Sequence, residues 1–569
     1  MLEFKNKEAV ISNINKYEKI CKYLSLIRLI LVINLIIWVI SYLSFSDNLI
    51  YLIILIVSAI VLILFLPFTN KFFNELNKYK KINEIYLIHQ RRREHKFNTF
   101  TDTGIDLIDK SDYKESDLDL FGKNSLFQYL NVSKTKYGRM YLRDSLTKPQ
   151  EDNIDYKNTI KELAEKEESI NLEASISGFK NTSKSLDYDF LYEKLSNKIK
   201  FKLVNFIPVI SFIITIVYLF LCIFKGFNPY YLVLLLVINY ITSYLFLNND
   251  IFNVQSIEYY ELLINYEDVI NTINNIDINT NTYKEIKDVV NKYKDSIKSC
   301  KSILNILSIR KNMIFNVLLN TLFIMNFWVL IIFNIKNKKV DGLKEIFNAI
   351  GKLECILSLS TIGIDNEVYT LGNNNDYIKG ISLYHPLVKN CVDNDFNLDG
   401  GVILTGSNMS GKTTFMRTLA LCVTLNNANG LVPAYEFSAP KLDIYTSLRA
   451  NDMLSEGIST FYAEILRMKK INQAIKEKKC LILVDEIFKG TNAIERISAS
   501  NQVIDKLKLN NQLFIISTHD FELCDNKNII NYHFNETYID DKISFDYKIK
   551  EGKSDTKNAI YLLKMADII

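Results

Sequence analysis

The stretch Gly406-Ser407-Asn408-Met409-Ser410-Gly411-Lys412-Thr413 holds the most specific chemistry in the chain. Its G-x-x-x-x-G-K-T spacing lets backbone N–H groups turn inward around phosphate oxygens. Lys412 adds a point charge for the β- and γ-phosphates. The Thr413 hydroxyl is placed for Mg²⁺, Thr414 extends the phosphate-facing set, and a helix N-terminus follows. Downstream, Cys480-Leu481-Ile482-Leu483-Val484-Asp485-Glu486 presents two acids at the end of an apolar run. Asp485 is expected to hold the Mg²⁺ shell and Glu486 to orient or deprotonate an attacking water. A third run, Leu513-Phe514-Ile515-Ile516-Ser517-Thr518-His519, ends in a histidine able to sense a γ-phosphate. Any one of these motifs is moderate evidence; in this order they predict a nucleotide site using ATP and Mg²⁺.

These residues need a scaffold of buried strands. The apolar run Val402-Ile403-Leu404 leads into the phosphate loop, the run ending in Asp485 and Glu486 reads as a buried strand, and the run ending in His519 reads as another apolar strand. At 569 residues the chain holds several domains. Its richness in Ile, Leu, Lys and Asn and poverty in Pro and Gly favour long helices. A net charge of +4 names no partner. The eight cysteines are scattered with no C-x-x-C pair, which indicates neither a zinc site nor a disulfide framework.

Four uncharged apolar runs, Leu29 to Phe45, Leu49 to Phe68, Phe206 to Phe224 and Tyr230 to Leu247, approach the ~20 residues a membrane-spanning helix needs. They pair as two hairpins with short turns at 46–48 and 225–229. Basic residues crowd the outer flanks: Lys16, Lys19, Lys22 and Arg28, then Lys71, Lys78, Lys80 and Lys81, then Lys198, Lys200 and Lys202. The excess places both termini in the cytoplasm of a multi-pass cell-membrane protein. A fifth uncharged run, Met313 to Ile335, reads as a soluble core helix. Asn316, Asn320 and Asn334 would share one face with Asn326 beside them, and an even number of crossings keeps the phosphate loop with the N-terminus. The basic run Gln90-Arg91-Arg92-Arg93-Glu94-His95-Lys96 invites a nucleic-acid reading, but a juxtamembrane cluster facing anionic lipid is preferred. The polar segment Tyr259 to Ile309 has helical period and reads as a lever arm.

With its Asn-Met pair, Leu404 to Thr414 resembles the phosphate loop of the MutS mismatch-repair ATPases, an ABC-type family. Further segments follow in family order: Tyr384-His385-Pro386-Leu387, Gly430-Leu431-Val432-Pro433-Ala434, Glu456-Gly457-Ile458-Ser459-Thr460-Phe461, Asp485 to Thr491, Ser517 to Leu523, Asn531-Tyr532-His533 and Tyr547 to Ser554. Upstream, Thr135 to Arg143 with Leu146 and Pro149 resembles the start of the family's helical core and levers. The resemblance implies an α/β P-loop (ABC-type) ATPase domain at the C-terminus. Before it would stand an all-α lever and core domain with two transmembrane helical hairpins. It also implies a homodimer in which Ser459, acting in trans, reaches the γ-phosphate bound at a partner's Lys412. The expected division is 1–70 for the first hairpin, 71–119 for a basic linker and 120–202 for the helical core. The second hairpin would follow at 203–248, levers and return to core at 249–365, and the ATPase domain at 366–569.

The departures carry as much information. No segment resembles the family's mismatch-reading domain or its phenylalanine-x-glutamate wedge, and the first hairpin stands in that region. The second hairpin falls where the family extends its levers and DNA clamp. Cys391, in Cys391-Val392-Asp393-Asn394-Asp395, takes the position of an adenine-stacking aromatic. Base stacking is then either weaker or supplied by Phe396 or another residue, and Asn394 counts among the nucleotide-binding residues. The chain stops at Asp567-Ile568-Ile569 without the family's C-terminal dimerising helices. Three readings follow. One is a membrane-anchored, DNA-associated ATPase with little mismatch preference. Another is an ATP-driven membrane motor that does not bind DNA. The third is a membrane scaffold with residual nucleotide binding, against which an intact Glu486 argues.

Overall fold

The computed structural model describes residues 1–44, 49–109, 111–179, 200–247, 254–299, 313–336, 342–407, 409–449, 460–488, 491–539 and 542–553. Asn408, Ser459, the turn at 46–48, Lys198 and the lever segment 300–309 lie outside them. The helices used below are α1 (Lys7–Ser44), α2 (Leu49–Arg93), α3 (Glu168–Ile176), α4 (Ile207–Lys225), α5 (Tyr230–Phe246), α6 (Val254–Asn275), α7 (Asn281–Lys292), α8 (Met313–Phe323), α9 (Met325–Lys336), α10 (Leu343–Asp365), α11 (Lys412–Asn427), α12 (Thr460–Ala474) and α13 (Ala493–Leu509). Two compact units emerge. One comprises Met1–Val132, Leu142–Ala174 and Ile356–Ile569; the other comprises Ser133–Tyr141 and Ser175–Cys355.

Among the described residues of the first unit, eleven strands run from β1 (Thr370–Leu371), β2 (Ile378–Leu383), β3 (Asn394–Leu398), β4 (Gly401–Thr405), β5 (Leu431–Val432), β6 (Glu436–Ser438) and β7 (Asp443–Ser447) to β8 (Cys480–Asp485), β9 (Leu513–Ser517), β10 (Ile530–Ile539) and β11 (Lys542–Glu551). Six form the main sheet, in the order β11-β10-β4-β9-β8-β7. All are parallel except edge strand β11, which pairs antiparallel with β10. Central strands β4 and β9 are buried at every position, and β8 at all but its last. That burial explains why their sequences are continuous apolar runs rather than alternating ones. A smaller antiparallel sheet, β3-β2-β6, flanks the main one. The C-terminal domain is thus an α/β sheet domain, and most of the remaining chain is helical.

α1 and α2 form an antiparallel pair, with Tyr17 stacked on Tyr79 (5.6 Å) at one end and Trp38 near Tyr51 (6.2 Å) at the other. Lys7–Tyr42, Ile53–Arg93 and Leu203–Lys225 are long and apolar enough to cross a membrane, and little of their apolar length is buried. Leu343–Asp365 passes the same test but is almost wholly buried, and α5, at 17 residues, is apolar but shorter. At 45 residues, α2 is about 68 Å long, more than twice a ~30 Å hydrocarbon core.

The far end of α2 corrects the reading of the basic run. Arg92 is 2 % exposed and Arg93 makes a 3.1 Å ion pair with buried Asp365. His89 lies between Asp365 (Nδ1 to Oδ2, 2.8 Å) and Glu173 of α3 (Nε2 to Oε2, 2.9 Å). The Arg93 guanidinium also covers the Phe4 ring at 4.1 Å. These arginines are committed inside the protein, so neither a lipid headgroup nor a nucleic-acid phosphate is their partner.

In the second unit, α4 and α5 pack together around buried Asn239. Ser211 donates to Asn239 Oδ1 (2.5 Å), and Asn239 Nδ2 donates to Thr215 Oγ1 (3.1 Å). The run expected as one soluble core helix is instead broken. Ile324 sits at φ +43°, and the two halves, α8 and α9, meet at 88°. Both halves pack on the second hairpin rather than in a separate core. Ser243 donates to Asn320 Oδ1 (2.9 Å), and Leu247, Ile324, Phe327 and Leu330 form one buried cluster. The break also removes the shared face assigned to Asn316, Asn320 and Asn334. The expected lever is not one helix over its described part: α6 ends at Asn275, α7 runs from Asn281 to Lys292, helix resumes over 294–299, and the Tyr283 hydroxyl ties α6 to α7 by donating to the Ile273 carbonyl (2.9 Å).

Candidate nucleotide site

The chemistry-bearing residues come from three adjacent parallel strands. Ser517 is in register with both Leu404 and Asp485, so β4, β8 and β9 end level with one another. Ligands of open α/β sheets bind at this carboxyl edge. After β4 the chain turns through Gly406 (φ +142°) and Gly411 (φ +106°) into α11. A Cβ at Gly406 would lie 2.9 Å from both the Phe534 carbonyl and Ser410 Oγ. Only glycine lets the loop close this tightly. Ser410 Oγ bonds to the Ser407 carbonyl (2.8 Å). Lys412 is 6 % exposed, and its Nζ donates to the carbonyls of Gly406 (2.7 Å) and Ser407 (2.9 Å). The loop thus holds its cation at the point phosphates would approach, while Ser407 Oγ is buried without a partner.

Thr413 Oγ1 donates to Asp485 Oδ2 (2.7 Å), and Ser517 Oγ donates to Asp485 Oδ1. Hydroxyl and carboxylate oxygens here form a hard-ligand set. It suits Mg²⁺, which takes one or two carboxylates and fills the rest of its shell with water and phosphate oxygens. Among the described residues no cluster of three His, Cys, Asp or Glu marks a dedicated all-protein metal cage. Glu486 follows with φ +54°, fixed by its N–H donating to the Ser517 carbonyl (3.0 Å). This left-handed backbone aims the carboxylate at His519, whose Nε2 is 3.3 Å from Glu486 Oε1. Both side chains retain solvent contact. A non-glycine residue at positive φ next to reactive groups is a common form of stored strain.

A cleft of about 540 Å³ opens over the loop, within the roughly 300–1,000 Å³ of small-ligand pockets. Its walls bring together Ser407, Met409, Gly411, Lys412, Thr413, Thr414, Asp485 and Glu486. Asn394 also lines it, but its amide is spent on β11: Nδ2 donates to the Tyr547 carbonyl (3.0 Å) and Oδ1 accepts from Ile549 N–H (2.8 Å). Phe396 is buried and edge-on to Phe415 (4.9 Å), so its ring belongs to the core. Cys391 is at the wall, and its Sγ accepts from the His385 N–H (3.3 Å); burial pushes its thiol up. Burial, helped by Arg417, lowers His385 to about 4, so its ring is neutral.

Two residues to which the sequence assigned no role complete the site. Tyr547 on β11 lines the cleft, 45 % exposed, and a Cβ on Gly411 would lie 3.2 Å from its ring. It presents the cleft's accessible aromatic face among the described residues. Arg496 on α13 makes a bidentate pair with Asp520 (2.7 Å each), which anchors the loop carrying His519. Only an aromatic on an edge strand, and an Arg in the helix after β8, hint at either in sequence. Ser459, just before α12, and Asn408 lie outside the described residues.

Comparison with known proteins agrees with this geometry. A family model described as MutS domain V matches residues 402–568. The DNA mismatch repair protein MutS of Clostridium tetani is 32% identical over 252 residues, covering 41% of this chain and 28% of that protein. The Clostridioides difficile protein of the same name is 31% identical over 248 residues, 41% and 26%. That of Listeria welshimeri is 30% identical over 246 residues, 40% and 28%. The chain therefore matches little more than a quarter of the length of these relatives. The C-terminal domain matches the MutS domain V model over residues 402–568, and that part of the chain is similar to MutS proteins at about 30% identity.

Proposed function

We propose that this protein is a membrane-anchored MutS-like ATPase. The carrying observation is the convergence of Lys412, Thr413, Asp485 and Glu486 on one cleft at the carboxyl edge of the sheet, with His519 Nε2 3.3 Å from Glu486. Lys412 leaves its loop carbonyls for the phosphates. Thr413 and Asp485 hold Mg²⁺, which when bound offsets charge on the phosphates. Glu486 takes the proton of the attacking water, and His519 holds that carboxylate in position. The sandwich arrangement of this ATPase class puts Ser459 of one protomer over the nucleotide of another, so the working unit is a homodimer.

Tyr547 is the base platform in this reading. Stacking on an aromatic ring is worth about 1–3 kcal/mol. Tyr547→Ala is expected to weaken ATP binding roughly tenfold, and Tyr547→Phe to leave it near normal. Titration with a fluorescent ATP analogue checks this. Equal affinity for all three proteins would place the base elsewhere.

The names of the relatives support DNA as a partner, bound through backbone phosphates without a mismatch-reading element. Such binding weakens steeply with salt and varies little with sequence. ATP turnover by the detergent-solubilised protein, with matched and mismatched duplexes at two salt concentrations, tests it. Stimulation at low salt, alike for both duplexes, is the expected result. Mismatch preference surviving high salt would demand a recognition element. No stimulation at either salt would favour a membrane motor. One observation already speaks for that second reading: α2 runs unbroken from a membrane-length apolar segment to the buried charges around His89.

A further inference from the structure

We propose that the broken helix 313–336 is a lipid-embedded element, docked on the second hairpin with its outer face against acyl chains. This rests on the membrane reading above and extends it to a segment that the sequence assigns to a soluble core. Three observations carry it.

The first is how the break is satisfied. Breaking a helix frees backbone groups, which in hydrocarbon must find partners inside the protein. Here the Asn326 N–H donates to Asn320 Oδ1 (2.9 Å), and the Thr321 carbonyl accepts from Asn239 Nδ2 (3.4 Å). Ser243 of α5 donates to the same Asn320 oxygen (2.9 Å). Asn239 and Ser243 are fully buried, and Asn320 and Asn326 nearly so. Asn320 of the broken helix, itself held by Ser243, and Asn239 of the apolar hairpin thus cap the broken backbone where water would otherwise serve.

The second is the opposite face. Leu318, Leu322, Phe323, Trp328 and Ile335 are 39–67 % exposed, and no charged residue occurs from Met313 to Ile335. A soluble helix with polar groups buried and large apolar groups outside has its pattern inverted. In a bilayer that pattern is the expected one, with polar side chains joining helices and apolar ones meeting lipid. The third is continuity. The exposed apolar residues of α4 and α5, among them Ile213, Phe220 and Leu234, belong to the same packed bundle, so one occupant covers both surfaces.

The chain's two tryptophans, Trp38 in α1 and Trp328 in α9, make the test direct. Trp38→Phe leaves Trp328 as the single reporter, and Trp328→Phe leaves Trp38. Each full-length variant is reconstituted into vesicles of phosphatidylcholine with brominated acyl chains, then exposed separately to aqueous iodide. Trp328 is expected to lose most of its emission to the brominated lipid and little to iodide. Iodide quenching of Trp328 without lipid quenching, while Trp38 responds to lipid, overturns this inference and leaves the membrane reading intact. If neither tryptophan responds to lipid, both fall.

Discussion

Glu486→Gln is expected to bind ATP with near-normal affinity and to lose about two to four orders of magnitude in turnover, the span assigned to a positioned general base. The substitution keeps the shape of the side chain and a hydrogen-bonding group 3.3 Å from His519 Nε2. It leaves the phosphate loop, Thr413 and Asp485 untouched. What disappears is the ability to take a proton from water. Lys412→Ala is expected to fail earlier, at binding, because it removes the ammonium that the loop holds beside the Gly406 and Ser407 carbonyls. Equilibrium nucleotide binding and phosphate release, measured side by side on both purified variants, separate the two roles. Rapid turnover by Glu486→Gln would remove that residue from the mechanism. Tight binding by Lys412→Ala would mean that the backbone cradle alone suffices.

The second large effect concerns the charges at the end of α2. Burial by itself would lower the His89 imidazole, but Asp365 and Glu173, each hydrogen-bonded to one ring nitrogen, outweigh it and raise the group to about 9. Arg92 and Arg93 face the same carboxylates, and the Tyr129 phenol lies nearby. A group raised above its unfolded value of about 6.5 stabilises the fold most fully below that pH. The contribution is lost as pH climbs through about 9, and amounts to something on the order of 3 kcal/mol. Asp365→Asn leaves three buried or half-buried cations with Glu173 alone. It is expected to cost about 3–5 kcal/mol, the usual penalty for breaking a buried pair, and to flatten the alkaline dependence. Urea unfolding of the detergent-solubilised protein at pH 6 and pH 9.5, for wild type and variant, measures both. Equal wild-type stability at the two pH values would show that the fold does not raise His89.

Legibility from sequence tracked the range of the interactions involved. The phosphate loop, Asp485, Glu486 and His519 were readable because each stands at the end of a short apolar run, and a run buried on both faces leaves an unbroken mark. Arg92 and Arg93 were misread because their surroundings come from Glu173 and Asp365, far along the chain. A local string of arginines carries no sign of the carboxylates that will meet it. Tyr547 escaped for a similar reason: the turn of β11 at φ +52° brings it to Gly411, and no spacing encodes that approach.

The sequence by itself determined the likeness of the C-terminal domain to MutS domain V, the sheet's central strands and the order of the candidate site residues, since these depend on local periodicity and loop chemistry. Only the tertiary structure decided that Asn394 braces β11, that Arg496 steadies the His519 loop and that residues 313–336 break against the second hairpin. A stripe of asparagines on an ideal helix presumes one continuous axis. Ile324 leaves that axis, and Asn320 of α8 together with Asn239 of α5 satisfies what the break exposes. Whether a polar residue faces water or another helix depends on which partner lies within hydrogen-bond reach, and distance in space is not written in distance along the chain.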